Sequence, residues 1–210
     1  MTVLLVNPPS APGTTANREG SGGLGVQTPG TGGFVYPPQT LAYVAASLRE
    51  AGHTVMALDS VAEGLTIEET LEAGGRCDVG TKEQGSITSA PPHLRTSAER
   101  LAVGVLISVA TLETDLRFVN ALAQTSPDIP VFVFGNGVQY VWRRALEGSA
   151  ARLAVLGEAE FSAPAVVEAL ASGQPETLAE LRGVAYGVNG EIVHRPGLLA
   201  GDLDALPHPA

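Results

Sequence analysis

Side chains able to do acid–base, covalent or metal chemistry are few in this chain and do not gather into a constellation. His53, His93, His194 and His208 are scattered, and no two stand at metal-ligand spacing. Cys77 is the single cysteine, so neither an intrachain disulfide nor a cysteine-built zinc or iron–sulfur centre can form. It sits in a polar stretch without an evident base and reads as a bystander thiol. Glu158 and Glu160 are two residues apart, a spacing that keeps them off a common helix face, so one is expected to touch a ligand or cap the next helix. Gly135-x-Gly137 carries Tyr140 where a dinucleotide fingerprint needs its third glycine, and it follows the fourth strand instead of the first. The glycines between Gly22 and Gly33 have no Lys-Ser/Thr partner, which excludes a Walker A loop. Trp142, Arg143 and Arg144 read as part of a surface helix.

What the chain has instead is a set of strand ends. Val3–Val6, Thr54–Leu58, Leu101–Val109, Val131–Phe134 and Leu153–Leu156 are short apolar runs bounded by turn residues, the pattern of strands buried on both faces. Between them lie helical stripes: Leu41, Val44, Ala45 and Leu48; then Leu112, Leu116, Val119 and Leu122; then a weaker helix near Val141–Leu146 and another over Phe161–Ala171. Pro37 and Pro38 suit a first turn, Gly52 and Gly173 suit helix stops, and Thr66 with Glu69 is a capping-box pair for a short helix through Leu71. Strands alternating with helices predict a parallel, doubly wound five-stranded α/β sheet with helices on both faces. Such sheets bind ligands beyond the C-terminal ends of the strands, where strand order reverses. The loops to watch are then Asn7, Pro8 and Pro9; Ser108, Val109, Ala110 and Thr111; Gly135, Asn136 and Gly137; and Gly157 with Glu158. Small residues, hydroxyls and an amide prevail there, which suits a binding surface better than a catalytic one.

Composition narrows the partners. The 210 residues include 22 acidic and 12 basic side chains, a formal charge of −10 that repels nucleic acid and anionic membranes. Neither a signal peptide nor a run of roughly 20 apolar residues is present, so the reading is a cytoplasmic protein outside the membrane. Two stretches, about 10–33 and 74–96, lose periodicity and read as loop inserts. Past residue 182, GVAYGV and EIVHRP flank Asn189-Gly190, the favoured two-residue turn, and predict a small β-hairpin appendage over 183–210.

Taken in order, VLLVNPP, YPPQTLAYVAASLREAGHTV with Asp59, VGVLISVATLETD, PDIPVFVFGNG, LGEAEFS, GVAYGVNGEIV and LDALPHPA resemble the N-terminal cobalamin-binding domain of cobalamin-dependent radical-SAM enzymes. The resemblance covers most of the chain outside the two inserts. It implies a flavodoxin-like sheet over residues 1–182, with the corrin ring across the strand ends and family contacts at the four loops just named and at Leu112 next to the second of them. It also implies a methyl-carrying role, in which a methyl group from S-adenosylmethionine passes to a substrate radical. Two departures accompany it. No aspartate has histidine two residues on, so the DxHxxG source of a lower cobalt ligand is absent. The CxxxCxxC motif for a [4Fe–4S] cluster is absent too, so the cluster and S-adenosylmethionine belong to a radical-SAM domain in cis or in trans, and 183–210 reads as a hairpin and linker toward it. Competing expectations are a nucleotide- or sugar-nucleotide-binding enzyme domain and a degenerate interaction domain. A phospho-receiver is disfavoured because the strand ends lack its paired acids and lysine.

Overall fold

Alternation of side chains along the strands builds two apolar layers, one on each face of a single sheet. The computed structural model describes residues 1–19, 25–28, 36–75, 101–197 and 202–209. Its elements are β1 (Thr2–Asn7), β2 (Thr15–Ala16), β3 (Val26–Gln27), α1 (Gln39–Glu50), β4 (Thr54–Asp59), α2 (Ile67–Gly75), β5 (Leu101–Leu106), α3 (Leu112–Thr125), β6 (Val131–Phe134), α4 (Val138–Gly148), β7 (Leu153–Val155), α5 (Ala159–Ser172), α6 (Pro175–Glu180), β8 (Val184–Val188) and β9 (Glu191–Arg195). Leu4, Val6, Val103, Val105, Val131 and Val133 face α2, α3 and α4. Val3, Leu5, Leu106, Phe132, Phe134 and Val155 face α1 and α5. Successive strand residues point to opposite faces, so both sets come from the same strands.

The sheet has seven strands in the order β4-β1-β5-β6-β7-β8-β9. β1 pairs in parallel with β4 and β5, and β5, β6 and β7 continue in parallel. β8 then pairs antiparallel with β7, and β9 antiparallel with β8. The sheet thus has seven strands where five were expected, the hairpin expected as an appendage adding two antiparallel strands at its edge. Val184, Ala185 and Tyr186 are buried against β7, so the hairpin extends the sheet itself. Its turn is as the sequence implies, with Asn189 and Gly190 both at positive φ (50° and 81°). His194 on β9 stacks on Trp142 of α4, with ring centroids 4.9 Å apart, and Trp142 itself packs against the core. Trp142 therefore fastens the hairpin and is more than a surface residue.

Several local signals are realised. Thr66 N–H donates to Glu69 Oε2 at 2.8 Å and Glu69 N–H to Thr66 Oγ1 at 3.2 Å, a complete capping box. Gly52 follows α1 at φ 85°, and Gly173 caps α5 at φ 67°. Three boundaries move. Pro38 is the N-cap of α1, so both prolines lie outside the helix. Helix α2 runs past Leu71 to Gly75, and Gly74 packs onto Leu4 so closely that a Cβ there would lie 3.2 Å from its Cδ2. The stretch 10–33 is not all loop: Thr15–Ala16 and Val26–Gln27 form a small antiparallel pair. Cys77, His93 and most of the expected insert 74–96 lie outside the described residues.

Candidate functional site

Strands β1, β5, β6 and β7 are consecutive in the sheet and parallel, so the loops after them share one rim. The chain order of the parallel strands reverses between β1 and β5, and the crevice of an open α/β sheet lies at such a point. The four predicted loops thus meet along one edge. They divide into a covered part and an open part.

The covered part is held by an arginine the sequence reading passed over. Arg18, just beyond β2, and Asp115, in the first turns of α3, form an ion pair at 2.6 Å with side chains 1% and 0% exposed. Arg18 Nε also donates to Asp115 Oδ1 (3.2 Å), and its Nη1 donates to Asn7 Oδ1 (2.9 Å) and the Pro8 carbonyl (2.8 Å). Nη2 adds a 3.3 Å bond to the Pro9 carbonyl. The other carboxylate oxygen accepts from Ser108 N–H (3.1 Å) and Thr111 Oγ1 (2.6 Å). Burial pushes the Asp115 carboxyl above its ordinary range; Arg18 and these donors pull it back without fully offsetting the desolvation. The guanidinium uses its planar fork on one carboxylate and three strand-end oxygens, a task lysine's point charge does not match.

Through this network a strap of residues 10–19 and 25–28 is fastened over the β1/β5 crevice. Ala16 N–H donates to Ser10 Oγ (2.9 Å), Asn17 N–H donates to the Gly25 carbonyl (2.9 Å), and Gly25 lies so near Ala110 that a Cβ would fall 2.4 Å from the Ala110 Cβ. Glu19 reaches α1, its carboxylate accepting from Thr40 N–H and Thr40 Oγ1 at 2.9 Å each. In consequence Asn7, Pro8, Pro9, Ser108, Thr111 and Leu112 are buried. Their polar groups meet one another, Arg18 and Asp115, where the sequence suggested groups free to meet a ligand. Asn7 also donates from Nδ2 to Asp59 Oδ1 at 2.7 Å, tying the ends of β1 and β4.

The open part lies over β5, β6 and β7. Val109 and Ala110 are exposed, Val109 at 55%. Gly135 and Gly137 have φ of 128° and 83°; a Cβ would fall 2.5 Å from the Ile107 carbonyl at the first and 2.7 Å from Val109 Cγ2 at the second. Asn136, Gly157 and Glu158 are exposed, and above Gly157 a Cβ would meet nothing within 4 Å. Tyr140, 80% exposed in the first turn of α4, adjoins Gly137. The result is a shelf of backbone and small side chains between two exposed apolar residues, Val109 and Tyr140.

Glu158 is the N-cap residue of α5 but makes no capping bond with its side chain. Burial chiefly, then the charges of Glu158 and Glu19, push Glu160 above the usual carboxylate range. Among the described residues no group of three or more His, Cys, Asp or Glu could hold a metal ion, and no helix is long and apolar enough to cross a membrane.

Solved structures with this architecture exist. The radical S-adenosylmethionine methyltransferase TsrM from Kitasatospora setae, solved with tryptophan substrate and a SAM analogue, superposes at a TM-score of 0.63 with 16% identity over 93% of this chain. The same enzyme with cobalamin and a [4Fe–4S] cluster bound gives 0.62. The cobalamin-dependent S-adenosylmethionine radical enzyme OxsB, with aqua-cobalamin and S-adenosylmethionine bound, gives 0.67 with 14% identity over 99% of this chain. The likeness is one of fold. This chain spans 30% of the TsrM chain and 24% of the OxsB chain. No family model matches the sequence, and no curated protein matches it.

Proposed function

We propose that this chain is a cobalamin-binding module of a radical-SAM enzyme, with the corrin lying on the open shelf over β5, β6 and β7. The observation that carries the proposal is the shelf. Val109 and Tyr140 are exposed apolar side chains beside glycine backbone that carries no Cβ, so a broad ligand face laid over them would be favoured by the apolar area it removes from water. The parallel strands run in the order β4-β1-β5-β6-β7, and because the strap covers their switch point between β1 and β5, the ligand is placed on the neighbouring strand ends that stay open. The bound cobalamin in the TsrM and OxsB structures of this fold supports the same choice.

Open space above Gly157, where a Cβ would meet nothing within 4 Å, and the small residues beside it support room for a flat ring. Val109, Ala110, Gly135, Asn136, Gly137, Gly157 and Glu158 would hold the ring's lower face and its amide side chains. Asn7, Pro8, Pro9, Ser108, Thr111 and Leu112 would act behind them, fixing the rim through Arg18 and Asp115. When bound, cobalamin supplies a cobalt centre that carries a methyl group between a donor and an acceptor. The protein's own part would be to orient the ring and shield from water the side that rests on the shelf. The [4Fe–4S] cluster and S-adenosylmethionine would come from a radical-SAM domain in cis or a partner in trans, working in the cytoplasm.

Titration of the full chain with hydroxocobalamin tests the reading. A saturable change in the visible spectrum, lost in Val109→Asp, is the expected result. A featureless titration with folded protein would refute it, leaving an interaction domain or a nucleotide-binding one.

A further inference from the structure

A second concavity, of about 600 Å³, lies on the α2/α3 side of the strap, between the 10–15 loop, the turn after β4 and α3. Its makeup differs from that of the shelf. Ser60, which follows β4, is wholly buried and lines the cleft, yet its Oγ has no hydrogen-bond partner. A hydroxyl buried without a partner costs free energy that a ligand acceptor or donor would recover. On the opposite wall Thr114 and Arg117 project from α3. Arg117 is exposed and has no ion-pair partner among the described residues, although acidic side chains outnumber basic ones by 22 to 12. The N-terminus of α2 also opens onto the cleft at Ile67 and Glu68, adding the partial positive charge of a helix start. Two carboxylates oppose it at that helix start: Glu68, which lines the cleft, and Glu69, whose Oε2 accepts from Thr66 N–H.

We propose that this cleft is a binding site for a small hydroxylated anion, with its phosphate or carboxylate on Arg117 and a hydroxyl on Ser60. A guanidinium matches either anion with two parallel hydrogen bonds, which is why both belong to one class. Leu65 and Ile67 offer the ligand's carbon frame an apolar wall. The site is separate from the corrin shelf: it lies beside β4 and β1, on the other side of the strap from Val109 and Gly137.

The test is an amide-shift NMR titration of the full chain with inorganic phosphate, glucose 6-phosphate and tartrate, each to about 20 mM, the range of a weak site. Saturable shifts at Ser60, Thr114 and Arg117 with glucose 6-phosphate or tartrate are expected, and which of the two binds tells phosphate from carboxylate. Arg117→Gln, an exposed change, should weaken binding by about tenfold or more. Glu68→Gln should tighten it. Ser60→Ala should weaken the hydroxylated probes and leave inorganic phosphate unchanged. No saturation by any probe, or binding indifferent to Arg117→Gln, overturns the proposal. Competition with hydroxocobalamin also overturns it, because the cleft would then be part of the corrin site. If hydroxocobalamin fails to bind at all, the anion titration still stands, so the two readings fail separately.

Discussion

Replacing Arg18 by methionine removes the charge that holds the strap and keeps most of the side chain's apolar bulk. At 2.6 Å the pair attracts by about 6 kcal/mol at an effective dielectric constant of about 20, before desolvation is counted. Net of desolvation, breaking one side of a buried pair costs about 3–5 kcal/mol, because the remaining charge stays buried without compensation. Asp115 would keep only the Ser108 amide and the Thr111 hydroxyl. The three strand-end oxygens of Asn7, Pro8 and Pro9 would each lose a donor. The loss has a ceiling, since the strap can lift and let water reach Asp115; Glu19 would still tie it to Thr40 of α1, while the Ser10–Ala16 and Asn17–Gly25 bonds lie within the strap. Two measurements together resolve the outcome. Urea denaturation should show an unfolding free energy lower by about 3–5 kcal/mol if the strap stays closed. Hydrogen exchange should show the Asn17 amide unprotected, with Val105 and Val133 still protected, if it opens. The double variant Arg18→Met, Asp115→Leu should lose less than the two single variants summed, since neither charge is then stranded. A single variant with stability within about 1 kcal/mol of wild type and full protection at Asn17 would refute the account.

Other perturbations have outcomes as definite. Gly135→Ala should destabilise by about 2–3 kcal/mol in urea melts, because it combines a left-handed φ with a Cβ 2.5 Å from the Ile107 carbonyl; a neutral result would contradict the geometry. Gly104→Ala would push a methyl to 2.5 Å from Phe132 Cζ and should cost about 1–3 kcal/mol, with the rim otherwise unchanged by NMR. Glu160 is held above its ordinary value of 4.5, so its contribution to stability is complete below that value and is lost as pH rises through the elevated one. Glu160→Gln should therefore melt later than wild type at neutral pH and coincide with it in acid; the reverse order would show the shift has the wrong sign. Trp142→Leu should release the stack on His194 at a cost of about 0.5–1.5 kcal/mol and raise amide exchange in β9 before β7.

Local rules were legible wherever the deciding contacts lie within a few residues. The Thr66–Glu69 box, the glycines after α1 and α5 and the Asn189-Gly190 turn all follow from chemistry confined to one turn of chain. The buried parallel strands follow from their unbroken apolar runs. The strap was not legible, because Arg18 and Asp115 are 97 residues apart and nothing periodic surrounds Arg18. One signal did exist. Asp115 falls on the same stripe as Leu112, Leu116 and Val119, and a carboxylate on a buried stripe requires a cation brought from elsewhere. The merging of the hairpin with the sheet was hidden for a different reason: alternating short strands look the same whether they pair with each other alone or with a third.

Placing β8 and β9 antiparallel beyond β7 also changes what the molecule shows at its margin. The outermost strand ends the sheet with Glu191 and Arg195 among its five residues, and charged groups along an unpaired backbone discourage a second copy from docking there. Without that hairpin, β7 would present Leu153, Ala154 and Val155, three buried apolar residues, to any exposed strand nearby. The hairpin thus acts as a selvedge, keeping a strongly apolar parallel sheet from fraying into aggregates while its ligand-facing end stays open.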